Sequence, residues 1–216
     1  KVAHCSNTNC TAATITSLDT AGNVGEYTSV TIGADGLGLI SYYDVTNQDL
    51  KVAHCSDVNC TSATMTLLDN STSRVGYHTS VTIGTDGLGI IAYKDDGNGN
   101  LDVAHCANIN CTSATLTSVD PAAGAYPSIA IGADGLALIA NQTTENATRL
   151  RVSHCSNIAC TSDGIGSPDS AGANGSYSSV TIGTNGLGLI SYKDATNADL
   201  KVAHCSNTNC TAATIT

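Results

Sequence analysis

One segment occurs five times in this chain, and that repeat limits the fold more than any other feature. KVAHCSNTNCTAATIT begins at Lys1, KVAHCSDVNCTSATMT at Lys51, DVAHCANINCTSATLT at Asp102, RVSHCSNIACTSDGIG at Arg151 and KVAHCSNTNCTAATIT again at Lys201. A second block recurs in phase: YTSVTIGADGLGLISYYD from Tyr27, HTSVTIGTDGLGIIAYKD from His78, YPSIAIGADGLALIANQT from Tyr126 and YSSVTIGTNGLGLISYKD from Tyr177. With 216 residues and a period near 50, the chain opens on the last part of a unit and then carries four full units.

Each unit reads as four short strands. Thr28 to Gly33 alternates Val30 and Ile32 against Ser29 and Thr31, the period of a half-buried strand. Ala34-Asp35-Gly36 is a tight turn, Leu37 to Tyr43 a second strand, and Asp44 to Asp49 a polar turn. Leu50 to Cys55 is the third strand, Ser56 to Asn59 a hairpin tip, and the fourth strand lies near Thr61 to Leu68. No apolar stripe has helical period and length. The apolar residues are mostly Ala, Val, Leu and Ile, with no Trp or Phe, which favours strands over helices. The expected fold is all-β: tandem four-stranded antiparallel blades of about 50 residues in a β-propeller or propeller-like stack with disulfide-clipped hairpins. The expected divisions are a half-blade over 1–19 and blades over 20–69, 70–120, 121–169 and 170–216.

SYYDVTNQDLKVAHC and SYKDATNADLKVAHC resemble the SYYDxTNxDLKxA units of secreted bacterial tandem-repeat β-propellers, and the resemblance runs over nearly the whole chain. It implies blades and a binding, adhesion or scaffold role, with no catalytic residue carried over. This chain departs from the commonest pattern in its HC-x4-C hairpin and in having no Trp.

The ten cysteines form five C-x4-C pairs: Cys5/Cys10, Cys55/Cys60, Cys106/Cys111, Cys155/Cys160 and Cys205/Cys210. Placed opposite each other across the base of a hairpin turn, each pair is within disulfide reach. Ten half-cystines imply an oxidising compartment, secreted or at the cell surface. The competing reading is zinc or copper held by the His-Cys-x4-Cys groups of His4, His54, His105, His154 and His204. Adjacent strand residues diverge to opposite faces, and no fourth ligand is evident, so the histidines read as blade-to-blade polar contacts.

Asp44, Asn47 and Asp49, with their counterparts Asp194, Asn197 and Asp199, are weak calcium candidates, set against the ordinary role of Asp and Asn as turn caps. Asn9, Asn59, Asn70, Asn110, Asn141, Asn146, Asn174 and Asn209 stand in Asn-x-Ser/Thr sequons, the acceptor pattern for N-glycans. Tyr27, Tyr77, Tyr126 and Tyr177 are candidate glycan contacts, because a phenol offers both a stacking face and a hydroxyl.

A formal charge of −10 disfavours nucleic acid and anionic membranes as partners, and no apolar run is long enough for membrane insertion. No cofactor is expected. Residues 1–16 and 201–216 are identical, which suggests a window of a longer array or head-to-tail self-association. No nucleophile–base constellation is visible. The functional expectation is therefore a non-enzymatic extracellular structural protein, joined head-to-tail into a fibre or surface layer. The alternative is a closed propeller that binds a glycan or a cell-surface protein.

Overall fold

The computed structural model describes residues 1–71, 74–121, 123–143 and 148–216. They form 18 strands and no helix. β1 (Val2–Cys5) and β2 (Ala13–Thr16) make a two-stranded sheet. Four four-stranded antiparallel sheets follow, each in strict chain order. The first holds β3 (Val24–Ile32), β4 (Gly38–Asp44), β5 (Asp49–Cys55) and β6 (Ala63–Asp69). The second holds β7 (Val75–Ile83), β8 (Gly89–Asp95), β9 (Asn100–Cys106) and β10 (Ala114–Asp120). The third holds β11 (Ala125–Ile131), β12 (Ala137–Gln142), β13 (Leu150–Cys155) and β14 (Asp163–Asp169). The fourth holds β15 (Asn174–Ile182), β16 (Gly188–Asp194), β17 (Asp199–Cys205) and β18 (Ala213–Ile215). Each meander is what alternating apolar runs and short turns dictate.

Successive sheets stack face to face, and their first strands β3, β7, β11 and β15 meet in series along one inner edge. The core is therefore a set of thin layers between sheets. Leu39, Leu50 and Val52 of one sheet close on Val75, Val81, Ile91 and Tyr93 of the next, and equivalent layers follow. This explains how the chain does without Trp and Phe: each layer is only two side chains deep. Close approach also requires glycine. A Cβ on Gly124 would stand 2.5 Å from the Asn100 carbonyl oxygen, and one on Gly175 2.6 Å from the Leu150 nitrogen.

Polar clasps join the sheets as well. The Val81, Ile129 and Val180 amides donate to the hydroxyls of Ser29, Ser80 and Ser128 in the preceding sheet. Tyr42, Tyr93 and Tyr192 donate their hydroxyls to Asp19, Asp69 and Asp169, which end or follow the last strand of the preceding sheet. Burial and these carboxylates drive the three phenol pKa values upward, so the hydroxyls stay protonated donors. Lys51 and Lys201 sit between two carboxylates at the same clasp, and in the third sheet Arg151 forks onto Asp120 at 2.9 and 2.7 Å.

The outer face of the first sheet is covered only in part, by Val2 and Leu18 of the two-stranded unit over Ile40, Tyr42 and Ala53. Val30 is 66 % exposed where its equivalents Val81, Ile129 and Val180 are buried. The expected tandem four-stranded antiparallel sheets are present, and no pairing joins the first sheet to the last among the described residues.

All five C-x4-C pairs are disulfides, with Cα–Cα distances of 4.8–4.9 Å. The pairing is as expected, but the placement of the second cysteine is not. The first cysteines, Cys5, Cys55, Cys106, Cys155 and Cys205, end their strands and face Ala13, Ala63, Ala114, Asp163 and Ala213 across the ladder. The second cysteines, Cys10, Cys60, Cys111, Cys160 and Cys210, are therefore not their cross-strand partners, which corrects the expectation for all five. They lie inside the turn, outside any strand, each with a left-handed backbone of φ 50–54°. Their amides donate to the carbonyl oxygens of Asn7, Asp57, Asn108, Asn157 and Asn207, three residues back. That hydrogen bond curls the tip into a tight turn and brings the second sulfur back over the strand end. Cys60, Cys111, Cys160 and Cys210 are buried there, whereas Cys10 is exposed.

Each disulfide thus closes the turn itself rather than bridging two strands. Closing such a short loop is worth about 2 kcal/mol in chain entropy. The double variant C155S/C160S is expected to lose about that much stability in urea unfolding, and reduction of the denatured chain should add ten hydrogens to its mass. Ten alkylatable thiols before reduction would contradict both.

The histidines also need correcting. His54, His105 and His154 bring Nε2 to 2.9 Å from Asp35, Asp86 and Asp134, each within its own sheet rather than between blades. His204 meets Asn185 at 3.1 Å in the same way. These contacts fasten the third strand to the first hairpin.

Candidate functional site

The strands β3, β7, β11 and β15 are not regular. The pairing of β3 with β4 shifts register between Glu26 and Ser29, and the same shift recurs at Tyr77/Ser80, Ala125/Ser128 and Ser176/Ser179. At each of these bulges an aromatic residue takes a left-handed backbone: Tyr27 (φ 52°), His78 (φ 52°), Tyr126 (φ 53°) and Tyr177 (φ 55°). This conformation costs a side-chain-bearing residue about 1 kcal/mol or more. Four copies of that strain on one edge are maintained by the surrounding ladder. Bulges of this kind re-aim side chains, and here they turn four rings toward one place.

The rings form a continuous ladder across all four sheets. Centroids are 4.3 Å apart from Tyr27 to His78, 4.5 Å from His78 to Tyr126 and 4.4 Å from Tyr126 to Tyr177, with interplanar angles of 42–53°. Together with Thr28, Thr79, Pro127 and Ser178 they line an open hollow of about 330 Å³. A second hollow, between the two-stranded sheet and its neighbour, holds about 50 Å³ and is lined by Val2, Leu18 and Tyr42 among others.

Thr79 and Ser178 are already engaged, donating to the carbonyl oxygens of Tyr27 and Tyr126. The polar groups left to face a ligand are the phenols, the imidazole and the Thr28 hydroxyl. Burial, followed by the Lys94 charge, lowers the His78 pKa against the opposing pull of Asp96, so the ring is neutral at neutral pH. Burial raises the Tyr27 pKa, and the charges of Glu26 and Asp96 add to it. Asp96 itself is held below the usual carboxylate range, chiefly by its bond from Lys94 at 2.5 Å, and it also meets Arg74 at 2.6 Å. Among the described residues the hollow's lining contains no carboxylate of its own. Glu26 and Asp96 are the ones whose charges reach Tyr27.

Three of the four expected glycan contacts, Tyr27, Tyr126 and Tyr177, thus come together. Tyr77 stays outside the hollow's lining, its ring 5.4 Å from Tyr27, and His78 takes the fourth place. Tyr77 turns instead onto Tyr43, with centroids 4.3 Å and hydroxyls 3.3 Å apart. The in-phase block starting at His78 carried that signal.

The calcium candidates are committed elsewhere. Asp44 accepts the Asn47 amide at 3.1 Å and its side-chain nitrogen at 2.9 Å, and Asp194 repeats the pattern with Asn197. Lys201 stands 2.9 Å from Asp194 and holds its pKa well below the ordinary value. Asp49 and Asp199 face Asp44 and Asp194 across their ladders, with no third ligand converging among the described residues. Asparagine caps these turns, and the Lys51 and Lys201 ammonium groups lie against Asp44 and Asp194.

Among the sequons, Asn9, Asn59, Asn70, Asn110 and Asn209 are exposed. Asn141 and Asn174 are fully buried, and Asn174 accepts the Leu150 amide at 2.5 Å. Neither has room for a glycan in this fold, which corrects both assignments. Asn146 lies outside the described residues. No helix among the described residues is long and apolar enough to cross a membrane.

No family model and no curated protein matches the sequence. The fold does have solved counterparts. A protein of unknown function from Dyadobacter fermentans aligns with TM-score 0.69 at 10 % identity, over 91 % of this chain and 69 % of its own. The GH93 α-L-arabinofuranosidase of Fusarium graminearum, solved with arabinobiose, aligns with TM-score 0.63 at 10 % identity, over 92 % of this chain and 68 % of its own. A GH43 β-1,3-galactosidase aligns with TM-score 0.60 at 11 % identity, over 88 % of this chain and 47 % of its own. The chain therefore spans from about half to just over two thirds of the lengths it matches. The architecture is one that glycoside hydrolases use. This corrects the expectation of a non-enzymatic fibre, surface-layer or adhesion module, which rested on repetition and on the absence of a visible catalytic motif.

Proposed function

We propose that this chain is a secreted carbohydrate-active protein on a propeller-type scaffold, hydrolysing glycosidic bonds at the inner-edge hollow. The observation that carries the reading is the Tyr27–His78–Tyr126–Tyr177 ladder, four strained aromatic residues aimed into a single hollow. Aromatic faces stack on the C–H surface of a sugar while phenol and imidazole groups hydrogen-bond its hydroxyls. The glycosidases among its structural neighbours support the class of chemistry, and five disulfides fit an extracellular setting.

Glycoside hydrolysis requires an acid and a second carboxylate flanking the bond. Glu26 and Asp96, whose charges reach Tyr27 at the hollow, are the candidates for that pair, and Lys94 and Arg74 hold Asp96 in its charged form. The test is release of aryl alcohol from aryl α-L-arabinofuranosides and aryl β-galactosides. Wild-type turnover is expected to fall by about 10²-fold or more in Glu26→Gln or Asp96→Asn, the scale of an acid–base contribution. Tyr126→Ala is expected to raise KM by about tenfold, the loss of one stacked ring. Failure of the wild-type chain to hydrolyse either substrate class would overturn the proposal.

A further inference from the structure

All disulfide cross-links in the structure are local. Each joins cysteines five positions apart inside one turn, and none joins one sheet to another. The aromatic ladder, by contrast, crosses from sheet to sheet at every step. We propose that Tyr126 and Tyr177 form an oxidative cross-linking site, at which a peroxidase-type oxidant joins the third and fourth sheets through a dityrosine bond.

This pair combines close approach with access. The two rings stand 4.4 Å apart on adjacent sheets, with an interplanar angle of 42°. Tyr177 is 64 % exposed and Tyr126 borders the open hollow, so an oxidant in solution reaches the pair. The other phenol pair that reaches the ladder, Tyr27 and Tyr77, has its rings farther apart, at 5.4 Å. Both steps flanking His78 pair a phenol with an imidazole, which has no phenoxyl radical to contribute. Tyr43 and Tyr77 are 4.3 Å apart, but Tyr43 is buried. Tyr42, Tyr93 and Tyr192 are tied individually to carboxylates inside the stack.

The chemistry balances with hydrogen peroxide as the oxidant. Each phenol gives up one electron and one proton to become a phenoxyl radical. The two radicals couple through ring carbons ortho to oxygen, and the two displaced ring hydrogens return to the oxygens. Two tyrosines and one peroxide give one dityrosine and two waters, leaving the chain two hydrogens lighter. The 4.4 Å ring separation keeps the two radicals adjacent, which favours coupling within one molecule over coupling between molecules. The inference does not depend on sugar binding.

The purified chain, dilute, is treated with hydrogen peroxide and a peroxidase. The expected product is a monomer two hydrogens lighter, with dityrosine fluorescence and a proteolytic map joining the Tyr126 and Tyr177 peptides. Tyr177→Phe should abolish this product while Tyr27→Phe retains it, with circular dichroism confirming that both variants fold. An unchanged mass, cross-linked dimers alone, or a map joining other tyrosines would overturn the proposal. So would persistence of the intramolecular product in folded Tyr177→Phe.

Discussion

Asp102→Lys is expected to stabilise the chain at neutral pH by about 2 kcal/mol, raising Tm by roughly 4–8 °C for a chain of this size. The reason is a break in the repeat. At the position just after the leucine near the start of each third strand, the first and fourth sheets carry Lys51 and Lys201, each opposite a tyrosine and between two aspartates. The third carries Arg151 there, opposite Asn141 and forked onto Asp120. The second carries Asp102, opposite Tyr93 and beside Asp69 and Asp95, so a third carboxylate stands where a cation belongs. Burial first, then the Asp95 and Asp69 charges, push the Asp102 carboxyl up to about 6 against a bond from Ser118, and its Oδ1 has no partner.

A carboxyl with a raised folded-state pKa binds more protons folded than unfolded. Its penalty is therefore fully present above about pH 6 and is relieved as pH falls toward 4. The full shift corresponds to about 3 kcal/mol, reduced here because the side chain is partly open to solvent. Wild type should thus gain stability between pH 7 and pH 5, and Asp102→Lys should lose that rise. Asp102→Asn should also lose it, with a smaller gain at neutral pH because it restores no cation. Urea unfolding at both pH values decides the matter. A Lys variant no more stable than wild type at pH 7 would refute the clasp.

Leu101→Ala is expected to cost about 3 kcal/mol, whereas Leu200→Ala at the equivalent place should change stability by less than about 0.5 kcal/mol. Both leucines open the third strand's apolar run with the same local sequence logic. Leu101 is 0 % exposed, packed in a layer with Val119 and Ile129, and Leu200 is 77 % exposed on the uncovered end face. The contrast isolates packing between sheets from propensity within a strand. Thermal unfolding should show Tm falling by roughly 6–12 °C for Leu101→Ala and staying nearly unchanged for Leu200→Ala. Equal losses would mean that the end face is covered and that the stack closes on itself.

Much of the fold was legible because every signal came in four or five copies. The period set the sheets, the ADG-type turns set the first hairpins, and the C-x4-C spacing marked the clips. The positions left obscure are those where local pattern and tertiary role part. Spacing showed which cysteines pair but not that Cys10, Cys60, Cys111, Cys160 and Cys210 sit in the turn, because a left-handed residue inside a tip leaves no periodic trace. The strand expected to begin at Thr28 begins at Val24, because the bulge around Tyr27 breaks period-two alternation just where the rings turn inward. The same bulge hid His78 behind Tyr77, since simple alternation cannot say which of two adjacent aromatic residues a bulge will re-aim. The histidines looked like contacts between blades because a strand pattern gives the face of a residue but not the hairpin that folds onto it. The enzymatic reading was invisible for a different reason: the groups concerned come from separate repeats and form no linear motif.

On the proposed reading, a saccharide sits on the ladder at the inner edge. Hydrogen–deuterium exchange with and without arabino-oligosaccharide, or a β-1,3-linked galacto-oligosaccharide, tests it most directly. Protection is predicted at 26–29, 77–80, 125–128 and 176–179, the four bulges, and at no disulfide tip. Protection at the tips alone, or none anywhere at saturating sugar, would contradict the account.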